Sequence, residues 1–183
     1  FRIGAEQGHA ESQSTLGLLY YRGSGVEQDY QEAFKWTKLA SDQGHSYAHF
    51  LLGLLYENGR GVPQNNEKAF NWFNLSAEQG DVYAQAHLGK MYHYGIGIPQ
   101  DYKEAIRWYN LAAEQGDARA QTNLGLIYEK GLGVPQDYKE AVKWYTLAAE
   151  QGHAEASWEL GIFYLHDEGF EKDRKEAAQW FRI

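Results

Sequence analysis

The sequence contains no cysteine, a single methionine and only three prolines. Without cysteine there is neither a disulfide framework nor a thiolate metal site, and the redox compartment stays open. No run of about 18 apolar residues is present, so we expect no insertion into a membrane. The first residues also lack the basic start and apolar middle of a signal peptide, but they begin within a repeat and leave the compartment undecided.

Positive charge is in the minority, with 17 Lys and Arg against 25 Asp and Glu and a formal net charge of −8. A surface with this excess of negative charge does not attract the phosphate backbone of nucleic acid, so we do not expect nucleic acid as a partner. Hydrophobic residues make up 43% of the chain, and aromatic residues 15%. The chain can therefore bury a continuous core.

A repeat of 36 residues runs through the whole sequence. The stretch from 97 to 117 returns almost unchanged at 133 to 153, and Leu-Gly pairs and tryptophans keep the same step in five registers. Residues 181 to 183 repeat residues 1 to 3, so the chain resembles a segment of a longer array. The period predicts one repeat domain over 1–183: the end of a preceding repeat at 1–8, full repeats at 9–44, 45–80, 81–116 and 117–152, and a truncated repeat at 153–183.

Each repeat predicts two helices. In the second helix of a repeat, Ala33, Trp36 and Ala40 follow the spacing of one helical face. Asp29 is placed to cap the start of the helix together with Glu32. Gly44 is predicted to end the helix. The first helix of each repeat has a glycine in its middle, which costs about 1 kcal/mol relative to alanine. We expect this glycine to allow close approach of the partner helix, with its tryptophan and the aromatic residue beside it.

The connection between the two helices carries Gly-x-Gly, then Val or Ile, and in three repeats Pro-Gln-Asp or Pro-Gln-Asn nearby. We interpret it as a helix-to-helix turn and not as a phosphate loop, since it has no lysine and follows no strand. The fifth repeat departs from the pattern, with Asp167 in place of the first glycine and Phe170 in place of Val or Ile. Its path is therefore not predicted.

These residues resemble the Sel1-like repeat family, a relative of the tetratricopeptide repeats. The resemblance is carried by LGLLY, LGKMY and LGLIY, by the Gly-x-Gly-Val/Ile loop and by EAxxWYxLAAEQG, and it covers essentially the whole chain. It implies an all-α fold, a right-handed α/α solenoid superhelix of five helix-turn-helix repeats. It also implies a role as an adaptor or scaffold between proteins.

The sequence contains no motif that indicates an enzymatic reaction. The motifs GxSxG, SxxK, HExxH and GxxxxGK[ST] and the EF-hand loop are absent, so we expect neither a catalytic residue nor a cofactor. Histidines at equivalent positions of adjacent repeats should lie about 10 Å apart, too far to share one zinc ion, and we expect no metal site. One branch of the Sel1-like repeat family is associated with penicillin binding and hydrolysis. The repeats of that branch carry cysteine pairs, which this chain lacks.

Positions that change from repeat to repeat carry what is specific to this protein. They form a stripe along the first helices that is rich in aromatic residues and in arginine, the types enriched at binding hot spots. In the families that this sequence resembles, the first helices line a concave groove. The resemblance therefore implies that the stripe binds a peptide or protein partner. The predicted partner-binding residues are Tyr21, Arg22, Tyr47, Phe50, Glu57, Tyr83, Lys90, His93, Tyr94, Arg119, Glu129, Lys130 and Trp158.

Two alternatives stay open. Leu18, Leu54, Leu126 and Ile162 of the same stripe could fill the seam between neighbouring first helices instead of facing a partner. The chain could also be a spacer, or an array in which copies associate head to tail, because both ends interrupt a second helix at the same register.

Overall fold

The computed structural model describes residues 2–165 and 173–182. These residues form eleven helices and no strand: α1 Arg2–Glu6, α2 Ala10–Arg22, α3 Tyr30–Ser41, α4 Ser46–Asn58, α5 Asn66–Ala77, α6 Val82–Tyr94, α7 Tyr102–Glu114, α8 Ala118–Lys130, α9 Tyr138–Ala149, α10 Ala154–Leu165 and α11 Arg174–Trp180. The predicted all-α architecture with two helices in each repeat is confirmed. None of these helices is long and apolar enough to cross a membrane.

The helices group into two compact units, residues 1–99 with α1 to α6 and residues 100–183 with α7 to α11. In the first unit the fully buried side chains come from both kinds of helix, such as Leu52 on α4 and Phe73 on α5. In the second unit Leu124 on α8 and Tyr145 on α9 take the corresponding places. Each unit therefore has its own apolar core between first and second helices.

The second helices begin at the predicted caps. The Asp29 carboxylate accepts hydrogen bonds from the backbone N–H groups of Gln31 and Glu32 at 2.8 and 3.0 Å, and Asp101, Asp137 and Asp173 do the same at their helices. In the second repeat Asn65 replaces aspartate and still accepts from the N–H of Lys68. Each cap satisfies backbone donors that the first helical turn leaves free.

The glutamate at the third helical position does not complete a capping box. The Glu32 carboxylate instead accepts from the Trp36 indole N–H at 2.8 Å and lies 3.0 Å from the Lys35 ammonium. The predicted end of the second helix is confirmed, because Gly44 has a φ of +80° and the left-handed conformation that glycine adopts without strain.

The connection from first to second helix is a repeated turn, as predicted. Before three of the helix caps a glutamine turns its side chain back: the Nε2 amides of Gln28, Gln64 and Gln136 donate to carbonyl oxygens in the last turn of α2, α4 and α8 at 2.8–2.9 Å. These bonds satisfy carbonyls that the helix end leaves without partners. The departures at Asp167 and Phe170 lie outside the described residues.

The glycine in the middle of each first helix lies against a side chain of the second helix. A Cβ atom on Gly53 would come within 2.5 Å of the Phe73 ring, and one on Gly125 within 2.6 Å of the Tyr145 ring. The expected close approach is confirmed in both units, but the ring that lies on the glycine belongs to the residue after the tryptophan. The tryptophans Trp36, Trp72 and Trp144 are only half-buried.

A buried hydrogen-bond ladder links three helices in succession. The Gln13 amide of α2 donates to the Ala5 carbonyl of α1 at 3.1 Å and accepts from the Gln43 amide, which follows α3, at 2.7 Å. The first of these bonds recurs from His49 to Ser41, from Gln85 to Ala77 and from Gln121 to Ala113. Within the first unit the ladder thus ties α3 and α5 to the first helices before and after them.

His49 is the one described member of this ladder that can change its charge near neutral pH. Its Nε2 lies 3.2 Å from the Ser41 carbonyl and its Nδ1 lies 3.2 Å from the Gln79 amide. Burial lowers the pKa of His49; the bond to Ser41 opposes this and nearby His45 adds to it. The folded chain therefore holds His49 neutral, and the associated stability is present above the unfolded pKa of about 6.5 and is lost as the pH falls through the lower folded pKa.

We therefore expect His49→Gln to reduce the loss of stability in acid. Glutamine keeps the ladder bonds, as Gln13 and Gln121 show, and cannot take up a proton. The measurement is the urea midpoint between pH 7 and pH 5, with the reciprocal variant Gln121→His as the matched control, which should gain acid sensitivity. A midpoint that falls equally with pH in wild type and His49→Gln would contradict this role. Some slope remains in both, since burial also lowers the pKa of His93.

Candidate partner-binding face

The predicted stripe, called here the first-helix face, contains in the first unit a row of three rings from two helices. The Phe50 ring of α4 lies 5.8 Å from that of Tyr47 and 5.9 Å from that of Tyr83 on α6, measured between centroids. Such offset and tilted ring pairs add to the stability of a contact beyond the area that they bury. The three residues therefore form one continuous aromatic surface.

Phe50 is the base of this surface and not part of its exposed rim. It is 7% exposed because the Tyr83 and His87 rings of α6 and the Phe73 ring of α5 pack on it. Ser14 and Thr122, its equivalents in other repeats, are also buried. The expected exposure of Phe50 is wrong, since this row of positions forms the seam between successive first helices. The row Leu18, Leu54, Leu126 and Ile162 is half-buried.

Three tyrosines of the first-helix face remain accessible in the first unit. Tyr83 is 51% exposed and Tyr94 55% exposed, whereas Tyr47 is half-buried. Burial raises the pKa of the Tyr47 hydroxyl, an effect that the positive charge of Arg22 opposes. Tyrosines of this kind offer an apolar ring and a hydroxyl together, which is why they are common at binding surfaces.

A charged group lies beside the rings. The Glu57 carboxylate of α4 is 3.6 Å from both the His87 ring nitrogen and the Lys90 ammonium of α6. Burial by itself raises the pKa of Glu57, but hydrogen bonding and charge from His87 and from Lys90 outweigh it, and the pKa lies below its usual value. Glu57 therefore stays ionised at neutral pH and joins α4 to α6.

His87 is a residue of this face that the sequence analysis missed. Its ring stacks on Phe73 at 4.7 Å and meets the edge of Phe50 at 5.5 Å, so it connects the aromatic base to Glu57. The signal was present in the sequence, because its position changes in every repeat, from Thr15 through Leu51, His87 and Asn123 to Glu159.

Arg60 is a second residue that the analysis missed. From the loop after α4 it donates to the Tyr21 hydroxyl at 2.7 Å, and its guanidinium lies 5.2 Å from the centres of the Tyr21 and Tyr30 rings. A cation over aromatic faces is a stabilising contact. Tyr21 is therefore held by a neighbouring repeat, whereas Arg22 beside it is exposed.

His93 and Tyr94 at the end of α6 differ in exposure although they are neighbours. Their rings stack at 4.3 Å, but His93 is buried, and burial lowers its pKa. The expectation that His93 faces a partner is wrong for the free chain. Tyr94 forms the accessible layer above it.

In the second unit Arg119 and Lys130 are exposed, whereas Glu129 is buried. The Arg119 guanidinium lies 3.4 Å from the Asp117 carboxylate. Glu129 accepts a hydrogen bond from the Tyr145 hydroxyl at 2.8 Å and is paired with Lys130. The expectation that Glu129 faces a partner is wrong, because its carboxylate binds the core tyrosine of α9 instead.

The buried carboxylate affects its neighbours. Burial, and after it the charge and hydrogen bond of Glu129, raise the pKa of the Tyr145 hydroxyl well above its usual value. Burial and Glu129 also raise the pKa of Glu159. Tyr145 therefore remains a hydrogen-bond donor throughout the physiological pH range.

Trp158 on α10 is 59% exposed, and its ring lies 5.2 Å from that of Phe181. Its equivalents in earlier repeats include the buried Phe50 and Thr122. Trp158 therefore belongs to the seam row, but no first helix among the described residues covers it.

Over residues 2–165 and 173–182 no group of three His, Asp or Glu side chains is placed to hold a metal ion. The Asp29 carboxylate caps its helix, and the Glu32 carboxylate binds Trp36 and Lys35. The accessible groups of the first-helix face are aromatic rings, cations such as Arg22 and the Glu11 carboxylate.

The profile of the Sel1 repeat family matches the chain at residues 10–45, 46–81, 82–117, 118–153 and 154–183. The chain belongs to the Sel1 repeat family. Each matched repeat starts one residue after the boundary predicted from the period. Proteins of this family commonly serve as scaffolds for protein interactions. A comparison with curated proteins found no match.

Solved structures with this repeat agree with the fold. A Sel1 repeat protein from Oxalobacter formigenes is 39% identical over 96% of this chain and 70% of its own, with a TM-score of 0.91. The protective antigen c5321 of uropathogenic Escherichia coli, which displays the same repeat fold, is 37% identical with a TM-score of 0.89. The chain spans 39% of the length of c5321 and is itself covered to 99%. The immunity protein PA5088 of Pseudomonas aeruginosa, at 23% identity and a TM-score of 0.68, shares the fold.

We expect Tyr145→Phe to lower the free energy of unfolding by about 1–3 kcal/mol, because it removes the buried donor to one oxygen of the Glu129 carboxylate and leaves only the pairing with Lys130. The matched control is Tyr138→Phe in the same unit, whose hydroxyl accepts an exposed hydrogen bond from Gln136. That change should stay within about 0.5 kcal/mol of wild type. Urea unfolding followed by circular dichroism measures both, and equal effects would show that the bond to Glu129 contributes nothing specific.

Proposed function

We propose that this chain is a non-catalytic interaction module that binds a peptide or protein partner through the first-helix face of α2, α4 and α6. The carrying observation is the exposure of Tyr83 and Tyr94 on α6, next to the half-buried Tyr47 on α4. Tyr47 and Tyr83 lie against the buried Phe50 ring, and Tyr94 lies against the buried His93 ring, so all three are presented on packed side chains. Rigid aromatic side chains bind at low entropic cost and are frequent hot spots.

The charges around the rings favour a partner with both apolar and polar groups. Arg22 is exposed and makes no ion pair among the described residues. Lys90 is also exposed, although its ammonium lies 3.6 Å from the Glu57 carboxylate. Glu57 is occupied by His87 and Lys90. The accessible charge of this face in the first unit is therefore mixed, because the Glu11 carboxylate of α2 is also exposed, at 83%.

The competing functions have less support. The hydrolase alternative rests on a family branch with cysteine pairs, and this chain has no cysteine. A spacer would need no exposed aromatic residues, and tyrosines at more than half exposure on one helix are what a binding surface requires.

The test is a selection of peptides from a random display library with the 183-residue chain, followed by calorimetry. The double variant Tyr47→Ala/Tyr83→Ala should bind the selected peptide about tenfold or more weakly, since two ring contacts are removed. The matched control is Leu39→Ala/Leu75→Ala, which removes two exposed apolar side chains from second helices of the same unit. Its affinity should equal that of wild type. Equal affinity of all three proteins, or an equal loss in the two double variants, would contradict the proposed surface.

A further inference from the structure

The second repeat differs from the others in the side chains around its tryptophan. In three repeats a glutamate and a cation three residues later form an ion pair on the second helix: Glu32 with Lys35 at 3.0 Å, Glu104 with Arg107 at 3.0 Å and Glu140 with Lys143 at 2.8 Å. Each cation also lies 4.1–5.3 Å from the ring centre of the tryptophan that follows it. The second repeat has Lys68 and Asn71 at these two positions. The indole of Trp72 therefore has neither the carboxylate nor the cation at these positions.

A cleft of about 280 Å³ lies at this point of the second repeat. It is lined by Tyr56 of α4 and by Lys68, Asn71, Trp72 and Leu75 of α5. Lys68, Asn71 and Leu75 are exposed, and Trp72 is half-buried. None of the five residues belongs to the first-helix face, so the cleft is separate from the surface proposed above.

Two hydrogen-bond donors of the cleft lack an acceptor. Among the described residues the Lys68 ammonium makes no ion pair, and it lies 5.3 Å from the centre of the Tyr56 ring. The Trp72 indole N–H donates to no described residue either. Its nitrogen is not shielded from solvent as those of Trp108 and Trp144 are. Both donors can therefore reach an acceptor from outside the chain.

The first repeat shows which group such donors bind. There the Glu32 carboxylate accepts from the Trp36 indole N–H at 2.8 Å and lies 3.0 Å from the Lys35 ammonium. One carboxylate thus bridges an indole and an ammonium, and hydrogen bonds of this charged kind are shorter and stronger than neutral ones. The cleft of the second repeat has both kinds of donor but no carboxylate among its lining residues. The His49 ring stacks on Trp72 at 5.7 Å, so the indole is held in place before a ligand binds.

We propose that this cleft binds the carboxylate of an acidic side chain from a peptide or protein partner, between the Lys68 ammonium and the Trp72 indole N–H. The Asn71 amide can donate a further hydrogen bond, and Tyr56 and Leu75 offer apolar contact to the methylene groups of that side chain. A volume of about 280 Å³ lies below the range of about 300–1,000 Å³ that is typical of small-molecule pockets. The cleft therefore suits one side chain of a larger partner better than a free ligand.

The indole N–H signals of the 183-residue chain in ¹H–¹⁵N spectra test this, with Trp72 assigned through Trp72→Phe. The probe is the blocked tripeptide acetyl-Gly-Glu-Leu-amide, and acetyl-Gly-Gln-Leu-amide is its neutral match. The Glu peptide should move the Trp72 signal downfield in a saturable way, because its carboxylate accepts the N–H. The Gln peptide should bind about tenfold or more weakly. The Trp36 signal should stay in place, since its N–H already has an acceptor.

The double variant Lys68→Glu/Asn71→Lys gives the second repeat the ion pair that the first repeat has. Its new carboxylate should accept the Trp72 N–H, so the Trp72 signal should lie downfield without peptide. Affinity for the Glu peptide should fall about tenfold or more. Circular dichroism establishes that the variant is folded, and Lys68→Gln replaces it if it is not. The matched control Lys103→Gln removes an exposed lysine from α7 and should bind like wild type.

The variant Tyr47→Ala/Tyr83→Ala should also keep its affinity for the Glu peptide, so this test and that of the first-helix face can fail separately. Three results would overturn the proposal: no movement of the Trp72 signal with the Glu peptide, equal affinity for the Gln peptide, or unchanged binding by the double variant. Acetate that binds as tightly as the Glu peptide would also overturn it, because the cleft would then take free acids and not a partner's side chain.

Discussion

The contact between a first-helix glycine and the side chain that lies on it determines the rest of each repeat. In both units a ring fills the space where a Cβ atom would be: Phe73 on Gly53, Tyr145 on Gly125 and Phe181 on Gly161. The glycine brings the two helix axes together at one point and fixes which side of the first helix faces its partner. The opposite sides are then left for the next repeat and for solvent.

This arrangement explains why the variable stripe serves two purposes. One row of positions, with Phe50 and Thr122, is covered by the following repeat, whereas Tyr83 and Tyr94 on α6 remain accessible. Variation in the covered row adjusts packing between repeats, and variation in the open row changes what the surface can bind. A repeat protein can in this way alter its binding surface without altering the contact that builds each helix pair.

The sequence predicted the features that depend on a residue's own conformation or on its helix. Asp29 as a cap, Gly44 as a helix end and Gly53 as a site of close approach are all local requirements, and the period repeats them five times. It did not predict which side of the stripe would be covered, because that depends on the angle between successive first helices. For this reason the sequence predicted exposed positions for Phe50, His93 and Glu129, whereas the structure shows all three buried.

The side-chain contacts that join one repeat to the next could not be predicted from the sequence either. Arg60 reaches Tyr21 and His87 reaches Glu57 across distances of 30 to 39 residues along the chain. Neither pair follows a helical spacing, and each occurs in a single repeat among those described. Periodicity detects what recurs, so it identifies the scaffold well and the specific contacts poorly.

The most direct test of this account is to change Gly53→Ala with and without the Phe73 ring. In the wild-type background the new Cβ would lie 2.5 Å from ring carbons, and overpacking of about 1–3 kcal/mol should outweigh a helix-propensity gain of about 1 kcal/mol. In a Phe73→Ala background the ring is gone, and the same change should leave stability unchanged or raise it. Urea unfolding of the four proteins gives the coupling. If Gly53→Ala has the same effect in both backgrounds, the ring on the glycine does not fix the helix pair.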